Sequence, residues 1–278
     1  MMLDSLNNIS VFLILPLFCC FLTIVFTRIS IPLLNVFGMT SETGERHINR
    51  ESVPIGGGIA LIAAIAVSMA VLYFSPWKDI LSKYSSFPKL LKLGYPLLLL
   101  IPIGIIDDKY NLRARYKLLA QICTGFICWY IGISFNSVLG YDLPRGANVA
   151  MTIVWIVGFI NAFNLIDGLD GLAAGVSIIS SICLGVILFL NGNYLYAILL
   201  LCLSASCLGF LRYNFHPAKI FMGDTGSMFL GYIFATVGLI SSTKSASFSA
   251  VTIPGPGLRR SPDRYIPGDL AAGHVQDA

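Results

Sequence analysis

The hydrophobic residues of this chain fall into eight long runs that are separated by short polar segments. The runs cover residues 9–27, 55–75, 93–106, 117–136, 149–166, 172–190, 194–211 and 226–241. A helix needs about 20 apolar residues to cross the hydrocarbon core of a bilayer, and it satisfies its own backbone hydrogen bonds there. The pattern therefore predicts an all-α fold, a polytopic transmembrane helix bundle of about eight spans joined by short loops.

The composition agrees with a chain whose main solvent is lipid. Of the 278 residues, 56% are hydrophobic and only 12% are charged, whereas a soluble domain carries roughly a quarter of charged residues. The net charge of +4 is too small to suggest nucleic-acid binding. The seven cysteines all lie within apolar runs, without the spacing of a zinc site or a disulfide framework. We interpret the first run as a retained helix, because the basic start of a signal peptide is missing.

Alternation of the spans places four polar loops on one face of the membrane. With the N-terminus outside, these loops are residues 28–54, 107–116, 167–171 and 212–225. Together with Lys117 they hold nine lysines and arginines, against six in the opposite loops, which favours a cytoplasmic location. The unusual polar motifs of the chain also fall in these four loops. The sequence thus predicts one functional face, directed to the cytoplasm.

Two adjacent aspartates, Asp107 and Asp108, end the third apolar run. Adjacent carboxylates repel each other, are costly to desolvate at a membrane boundary and are disfavoured at a helix C-terminus. A divalent metal or a basic side chain would offset these costs. A solvated helix end is the alternative interpretation, and we favour a functional site over it.

Two further polar segments carry carboxylates. Asn164 and Asp167 are three residues apart and would present amide and carboxylate oxygens on one helix face, which suits magnesium. Asp224 lies at a helix start whose backbone N–H groups form a natural phosphate cradle. An Asx-rich turn and a simple helix cap are the structural alternatives. For Asp170, a cap of the next helix is the simpler interpretation.

Together the loops supply five carboxylates, several cations and helix starts suited to phosphate at one membrane face. Metal-assisted phosphoryl transfer between a soluble nucleotide and a membrane-held acceptor needs such a set. A transporter or lipid-binding membrane protein is a competing class, but its acids would lie near the middle of the membrane. A non-catalytic remnant is the third alternative.

The chain resembles the polyprenyl-phosphate N-acetylhexosamine-1-phosphate transferases from about Arg46 to Gly231. The most specific segments are 163–175 and 215–227, and Asp107-Asp108 followed by 117–121 is similar to a third family motif. Segment 215–227 is closer to the branch that uses UDP-N-acetylglucosamine or a related sugar. This family starts O-antigen (lipopolysaccharide), teichoic acid and peptidoglycan lipid intermediates.

The resemblance implies transfer of sugar-1-phosphate from a UDP-N-acetylhexosamine to undecaprenyl phosphate, with release of UMP, at the cytoplasmic face of the bacterial inner membrane. Membrane lipids are further partners, and a homodimer is left open. The residues implied as catalytic are Asp107, Asp108 and Asp167. Those implied as ligands of magnesium, or alternatively manganese, are Asn164 and Asp224. Those implied as substrate-binding are Lys117, Arg46, Gly57 and Lys219.

The sequence changes character after Ile253. Residues 254–278 are rich in glycine and proline and have no apolar period, so we divide the chain into a transmembrane transferase domain, 1–253, and a disordered tail, 254–278. Removing one G after the codon of Pro254 lets permissible codons read an apolar span that ends in an acid and two arginines. We therefore expect residues 255–278 to be a frameshifted read and the domain to be C-terminally incomplete, which sequencing of the gene would test.

Overall fold

The computed structural model describes residues 2–41, 52–77, 87–135, 137–138 and 141–252. Within these ranges the chain forms nine α-helices and one short hairpin. The helices are α1 (Met2–Val36), α2 (Gly58–Phe74), α3 (Phe87–Lys92), α4 (Gly94–Tyr110), α5 (Ala114–Tyr130), α6 (Arg145–Ile166), α7 (Leu172–Leu190), α8 (Tyr194–Asn214) and α9 (Gly223–Thr252). The hairpin pairs β1 (Ser137–Val138) antiparallel with β2 (Tyr141–Asp142). The all-α prediction is confirmed.

Each of the eight predicted apolar runs lies on one of the long helices, and α3 is a short additional helix before α4. Among the described residues, five helical segments are long and apolar enough to cross a membrane: Ser10–Val36, Leu90–Tyr110, Arg145–Ile166, Leu172–Leu190 and Tyr194–Asn214. The outer helices expose large apolar side chains, such as Leu17 and Val154, that lipid would cover. The chain is a polytopic membrane protein.

Helices α8 and α9 form the inside of the bundle. Helix α8 packs against α1, α2 and α7, whereas α9 packs against α2, α4 and α6. Tyr232 of α9 is fully buried, and its hydroxyl donates a hydrogen bond to the carbonyl of Leu93 at 2.8 Å. Because α9 contacts three helices from earlier parts of the chain, the position of its first turn is set by all of them.

Glycines let the helices approach α9 closely. A Cβ added to Gly104 would lie 2.6 Å from Cα of Thr225, and one added to Gly231 would lie 2.6 Å from Cα of Ile160. Small residues play this part in membrane bundles, where lipid is as apolar as the side chains and contact depends on close packing. The start of α9 is therefore held against α4, and its middle against α6.

The structure shortens three of the predicted loops, one of which, 212–225, becomes 215–222 between α8 and α9. Helix α4 continues through Asp107 and Asp108 to Tyr110, so the polar loop is only residues 111–113, and not 107–116. Asn111 takes a left-handed conformation (φ 51°), which ends the helix, and the N–H of Leu112 donates to Oδ1 of Asp107 at 2.7 Å. Helix α1 likewise continues past residue 27 to Val36. The predicted tail, 254–278, lies outside the described residues.

The described parts of the four predicted loops, which leave out residues 42–51, meet at one end of the bundle, where the N–H of Phe221 donates to the carbonyl of Pro54 at 2.8 Å. The N–H of Gly57 donates to the carbonyl of Phe221 at 2.9 Å, and the N–H of Gly171 donates to Oδ1 of Asn214 at 3.1 Å. Asp108 contacts the start of α9 directly. The prediction of one shared polar face is confirmed.

The close contact between α6 and α9 can be tested with a pair of alanines. Gly231→Ala would force these helices apart and lower the thermal stability of the detergent-purified protein, because overpacking costs about 1–3 kcal/mol. Gly158→Ala on α6 is the matched control, since no atom lies within 4 Å of the added Cβ. Equal melting temperatures for the two variants would contradict the packing described here.

Candidate functional site

The ammonium group of Lys117 joins two carboxylates from different helices. Its Nζ lies 2.7 Å from Oδ2 of Asp107 on α4 and 2.7 Å from Oδ2 of Asp224 on α9. The Asp107 side chain is only 3% exposed, so water screens this pair little. Sequence analysis expected a cation to offset the cost of the buried aspartates, and the structure supplies a basic side chain.

Asp224 is also held by helix α6. Nδ2 of Asn164 donates to Oδ1 of Asp224 at 2.7 Å and to Oγ of Ser227 at 3.2 Å. The two oxygens of Asp224 therefore bind side chains from α5 and α6, on either side of it. Helices α5 and α6 are thus both bound to the first turn of α9 through Asp224.

Asp108 binds the N-terminus of α9. Its Oδ1 accepts the N–H of Asp224 at 2.6 Å, and its Oδ2 accepts the N–H of Thr225 at 3.2 Å and the hydroxyl of Thr225 at 2.6 Å. A negative charge is stabilised at this position by the unpaired N–H groups and the helix dipole. Gly223 has φ 77°, and an added Cβ would lie 2.6 Å from Oδ1 of Asp108, so a side chain does not fit there.

This contact corrects one expectation from the sequence. The N–H groups at the start of α9 were expected to form a phosphate cradle. In the structure, the N–H groups of Asp224 and Thr225 bind the carboxylate of Asp108. The sequence could not show this, because Asp108 lies 116 residues away from Asp224 along the chain.

Asp167 follows the last turn of α6 and lies in the same electrostatic environment. Burial, together with the charges of Asp108 and Asp224, raises the pKa of Asp167 to about 8, even though a hydrogen bond from the backbone of Gly223 lowers it. A carboxyl group that titrates near neutral pH is suited to proton transfer.

The donor set is compatible with a partial magnesium site. No group of three His, Cys, Asp or Glu side chains suited to a metal occurs among the residues that the structure describes. Magnesium, however, is typically held by one or two carboxylates and completes its shell with substrate phosphates and water. Nδ2 of Asn164 lies 2.7 Å from Oδ1 of Asp224, so the two side chains are close enough to offer a metal one amide oxygen and one carboxylate oxygen.

The remaining predicted residues are Gly57, Lys219 and Arg46. Gly57 is at the start of α2, and its N–H is already bonded to Phe221. Lys219 is exposed in the loop 215–222, and its N–H donates to the carbonyl of Tyr213. Arg46 lies outside the described residues. The structure therefore brings together Asp107, Asp108, Lys117, Asn164 and Asp224, with Asp167 beside them.

Asp170 has a different role from the expected helix cap. The cap position of α7 is Gly171, which has φ 72° and no side-chain hydrogen bond. Oδ2 of Asp170 instead lies 2.8 Å from Nδ1 of His216 and accepts the N–H of Ala218 at 3.2 Å. Asp170 thus joins the loop after α6 to the loop before α9. The sequence did not predict this contact. It also did not predict that Thr225 binds Asp108, that Ser227 binds Asn164, or that Asn214 binds Gly171.

Comparison with known proteins matches the part of the chain that holds the cluster. The family model described as glycosyl transferase family 4 matches residues 90–242, which include all the residues of the cluster. The chain belongs to glycosyl transferase family 4. It is 36% identical over 222 residues to the probable undecaprenyl-phosphate N-acetylglucosaminyl 1-phosphate transferase of Bacillus subtilis, covering 78% of this chain and 59% of that protein.

Two other relatives of this family 4 chain carry related names. The phospho-N-acetylmuramoyl-pentapeptide-transferase of Caldanaerobacter subterraneus is 38% identical over 211 residues, or 70% of this chain and 63% of that protein. The decaprenyl-phosphate N-acetylglucosaminephosphotransferase of Mycolicibacterium smegmatis is 32% identical over 231 residues, or 77% of this chain and 55% of that protein. The chain thus spans less than two thirds of the length of these three relatives.

The contact between Asp108 and α9 predicts an effect on stability. Asp108→Ala removes the acceptor of two backbone N–H groups and should destabilise the purified protein by about 1 kcal/mol, the usual cost of losing a helix cap. Asp108→Asn keeps one strong acceptor and should lose less. Thermal unfolding in detergent measures both, and an Asp108→Ala protein that melts like the unmodified one would contradict the capping role.

The contact of Asp170 with the loop 215–222 predicts an effect on hydrogen exchange. Asp170→Ala removes the acceptor of the Ala218 N–H, so this amide should exchange faster with deuterium. Lys219→Ala, which changes an exposed side chain in the same loop, is the control and should leave the exchange of Ala218 unchanged. Equal protection of Ala218 in the Asp170→Ala variant and the unmodified protein would refute the contact.

Proposed function

We propose that this chain transfers N-acetylhexosamine-1-phosphate from a UDP-sugar to undecaprenyl phosphate and releases UMP. The observation that carries the proposal is the convergence of Asp107, Lys117, Asn164 and Asp224 at one end of a lipid-facing bundle. A site at this position can meet a soluble nucleotide sugar and a lipid phosphate at the same time. Acids of a transport path would lie nearer the middle of the membrane, so the placement favours a transferase.

The names of the relatives support the substrate classes. One is named as a probable transferase of N-acetylglucosaminyl 1-phosphate with undecaprenyl phosphate, and another as an N-acetylglucosamine phosphotransferase with decaprenyl phosphate. A third is named for phospho-N-acetylmuramoyl-pentapeptide. The feature shared by these names is a phosphorylated N-acetylhexosamine. We assign UDP-N-acetylglucosamine or a close relative as the donor, since residues 215–227 resemble that branch more closely.

The reaction makes one phosphorus–oxygen bond and breaks another. An oxygen of the lipid phosphate attacks the phosphorus that carries the sugar, and the bond from this phosphorus to the oxygen of UMP breaks. Lys117 neutralises the charge that gathers on the phosphates. Asp107 holds Lys117 in place through their 2.7 Å contact.

The three carboxyl groups proposed as catalytic have different surroundings. Asp107 and Asp108 accept hydrogen bonds from Lys117 and from the start of α9, which orients both groups. The pKa of Asp167 is raised to about 8 by burial and by the charges of Asp108 and Asp224, and this carboxyl group would hold or accept a proton in the reaction. In this proposal Asp107 and Asp108 orient Lys117 and the start of α9, and Asp167 is the group that exchanges a proton.

Magnesium, or manganese in its place, would be held by Asn164 and Asp224 together with phosphate oxygens and water. When bound, it supplies positive charge that stabilises the phosphates and the departing UMP. The active face is proposed to be cytoplasmic, where UDP-sugars are available, in the inner membrane of a bacterium.

The proposal is tested by UMP release from UDP-N-acetylglucosamine and undecaprenyl phosphate in membranes that contain the protein. Turnover should require magnesium and should stop with excess chelator. Asp107→Asn, Asp108→Asn and Asp224→Asn should each lower turnover by at least about 100-fold, the usual effect of losing a group that acts in the transition state. Asp142→Asn, in β2 at the opposite end of the bundle, is the control.

A transporter or lipid-binding protein would release no UMP under these conditions. Unchanged turnover in all three aspartate variants would refute the assigned site, even if the unmodified chain is active. Protein levels in the membrane should be compared first, so that a loss of turnover is not a loss of protein.

A further inference from the structure

A second polar contact joins α5 to α6 beside the cluster. Nδ2 of Asn161 donates to Oε1 of Gln121 at 2.7 Å, and it also donates to the carbonyl of Val157 at 2.8 Å. Gln121 is only 3% exposed, and its Nε2 approaches the sulfur of Met228 at 4.0 Å. Asn161 is exposed on α6. A buried amide such as that of Gln121 is costly without a hydrogen-bond partner, and Asn161 supplies one from the neighbouring helix.

The register of the two helices places this contact next to Lys117 and Asn164. Gln121 is four residues after Lys117 on α5, and Asn161 is three residues before Asn164 on α6. Residues at these spacings share a helix face about one turn apart, or about 5.4 Å along the axis. The Gln121–Asn161 hydrogen bond is thus the next contact between α5 and α6 after the pair that binds Asp224.

A third close approach lies farther along the same seam. A Cβ added to Gly125 would lie 3.0 Å from Cα of Ile153, so the backbones of α5 and α6 are close there as well. From the site outward, the contacts follow rising residue numbers on α5 and falling residue numbers on α6, as expected for neighbouring antiparallel helices. Between α5 and α6, the close contact farther from the site is therefore made at Gly125, and the one next to the site is made by the two amides.

The separation of α5 and α6 matters because Asp224 is bound from both sides. Lys117 reaches one oxygen of Asp224 from α5, and Asn164 reaches the other from α6, each at 2.7 Å. If the two helices moved apart, one or both of these contacts would lengthen and weaken. A direct tie between the helices one turn away would prevent this.

We infer that Gln121 and Asn161 are positioning residues that hold α5 against α6, so that Lys117 and Asn164 keep their contacts with Asp224. They act through Lys117 and Asn164 and do not contact the substrate. This inference rests on the proposed function for its effect on turnover, but its effect on Lys117 is independent of that function.

An exchange of the two amides tests the inference. Gln121→Asn shortens one side chain and Asn161→Gln lengthens the other, so each single variant mismatches the pair and the double variant restores its total length. Each single change should lower kcat for UMP release several-fold with KM nearly unchanged, and the double variant should recover most of kcat. A residue that touched the substrate itself would not be rescued by the exchange.

Acetylation of Lys117 gives a second readout that needs no turnover. In the unmodified protein the Lys117 ammonium is held by two carboxylates, whereas Lys109 is exposed and serves as an internal reference. The rate of Lys117 acetylation relative to Lys109, measured by mass spectrometry, should rise several-fold in the single variants and return in the double variant. Thr124→Val is the control, because its buried hydroxyl bonds only to Ala120 within α5 among the described contacts.

The outcomes separate the inference from the proposed function. If the unmodified chain releases no UMP, the proposed function fails, and the acetylation rates still decide whether the amides position Lys117. Unchanged acetylation in both single variants would overturn the positioning role. A double variant whose effects are the sum of the two single effects would overturn it too. Gel filtration of each variant shows that the folded protein is the species measured.

Discussion

Lys117 lies between the carboxylates of Asp107 and Asp224, and the other contacts of the site depend on this ion pair. Two aspartates brought this close in a poorly screened environment would repel each other and force one to take up a proton. The ammonium group offsets that repulsion. Its Nζ lies 2.7 Å from an oxygen of each aspartate, so it links α5 to both α4 and α9. The desolvation of such a pair is costly, so we infer that its value lies less in stability than in keeping charge where the proposed substrate phosphates would bind.

The start of α9 gives the ion pair its geometry. Asp108 accepts the first N–H groups of this helix, and the glycines at 104 and 223 allow α4 to come close enough for the contact. Asp224 is thereby presented to Lys117 from one side and to Asn164 from the other. The negative charge expected from a substrate at this helix start is supplied by the protein itself. In the proposed reaction the substrate phosphates would then be bound by side chains, and Lys117 is the cation that the cluster provides.

The apolar runs were enough to predict the helices and the shared polar face, since helix length and alternation follow directly from lipid thickness. The need for a cation beside Asp107 and Asp108 also followed from local charge. Its identity did not, because Lys117 reaches Asp224 across 107 residues of sequence. Asp170 was interpreted as a helix cap because its real partner, the N–H of Ala218, lies 48 residues away along the chain and could not be foreseen from local sequence. Contacts between distant loops depend on how the helices pack, which local patterns do not encode.

The site is most directly tested by following the phosphorus atom that is proposed to move. UDP-N-acetylglucosamine labelled with ³²P at the phosphorus that carries the sugar would be incubated with the membrane-embedded protein and undecaprenyl phosphate. The account predicts that the label passes into the lipid fraction, while the released UMP is unlabelled. A lipid that gains the sugar without the label would contradict sugar-1-phosphate transfer at this site, and so would a label that stays entirely in the soluble nucleotide.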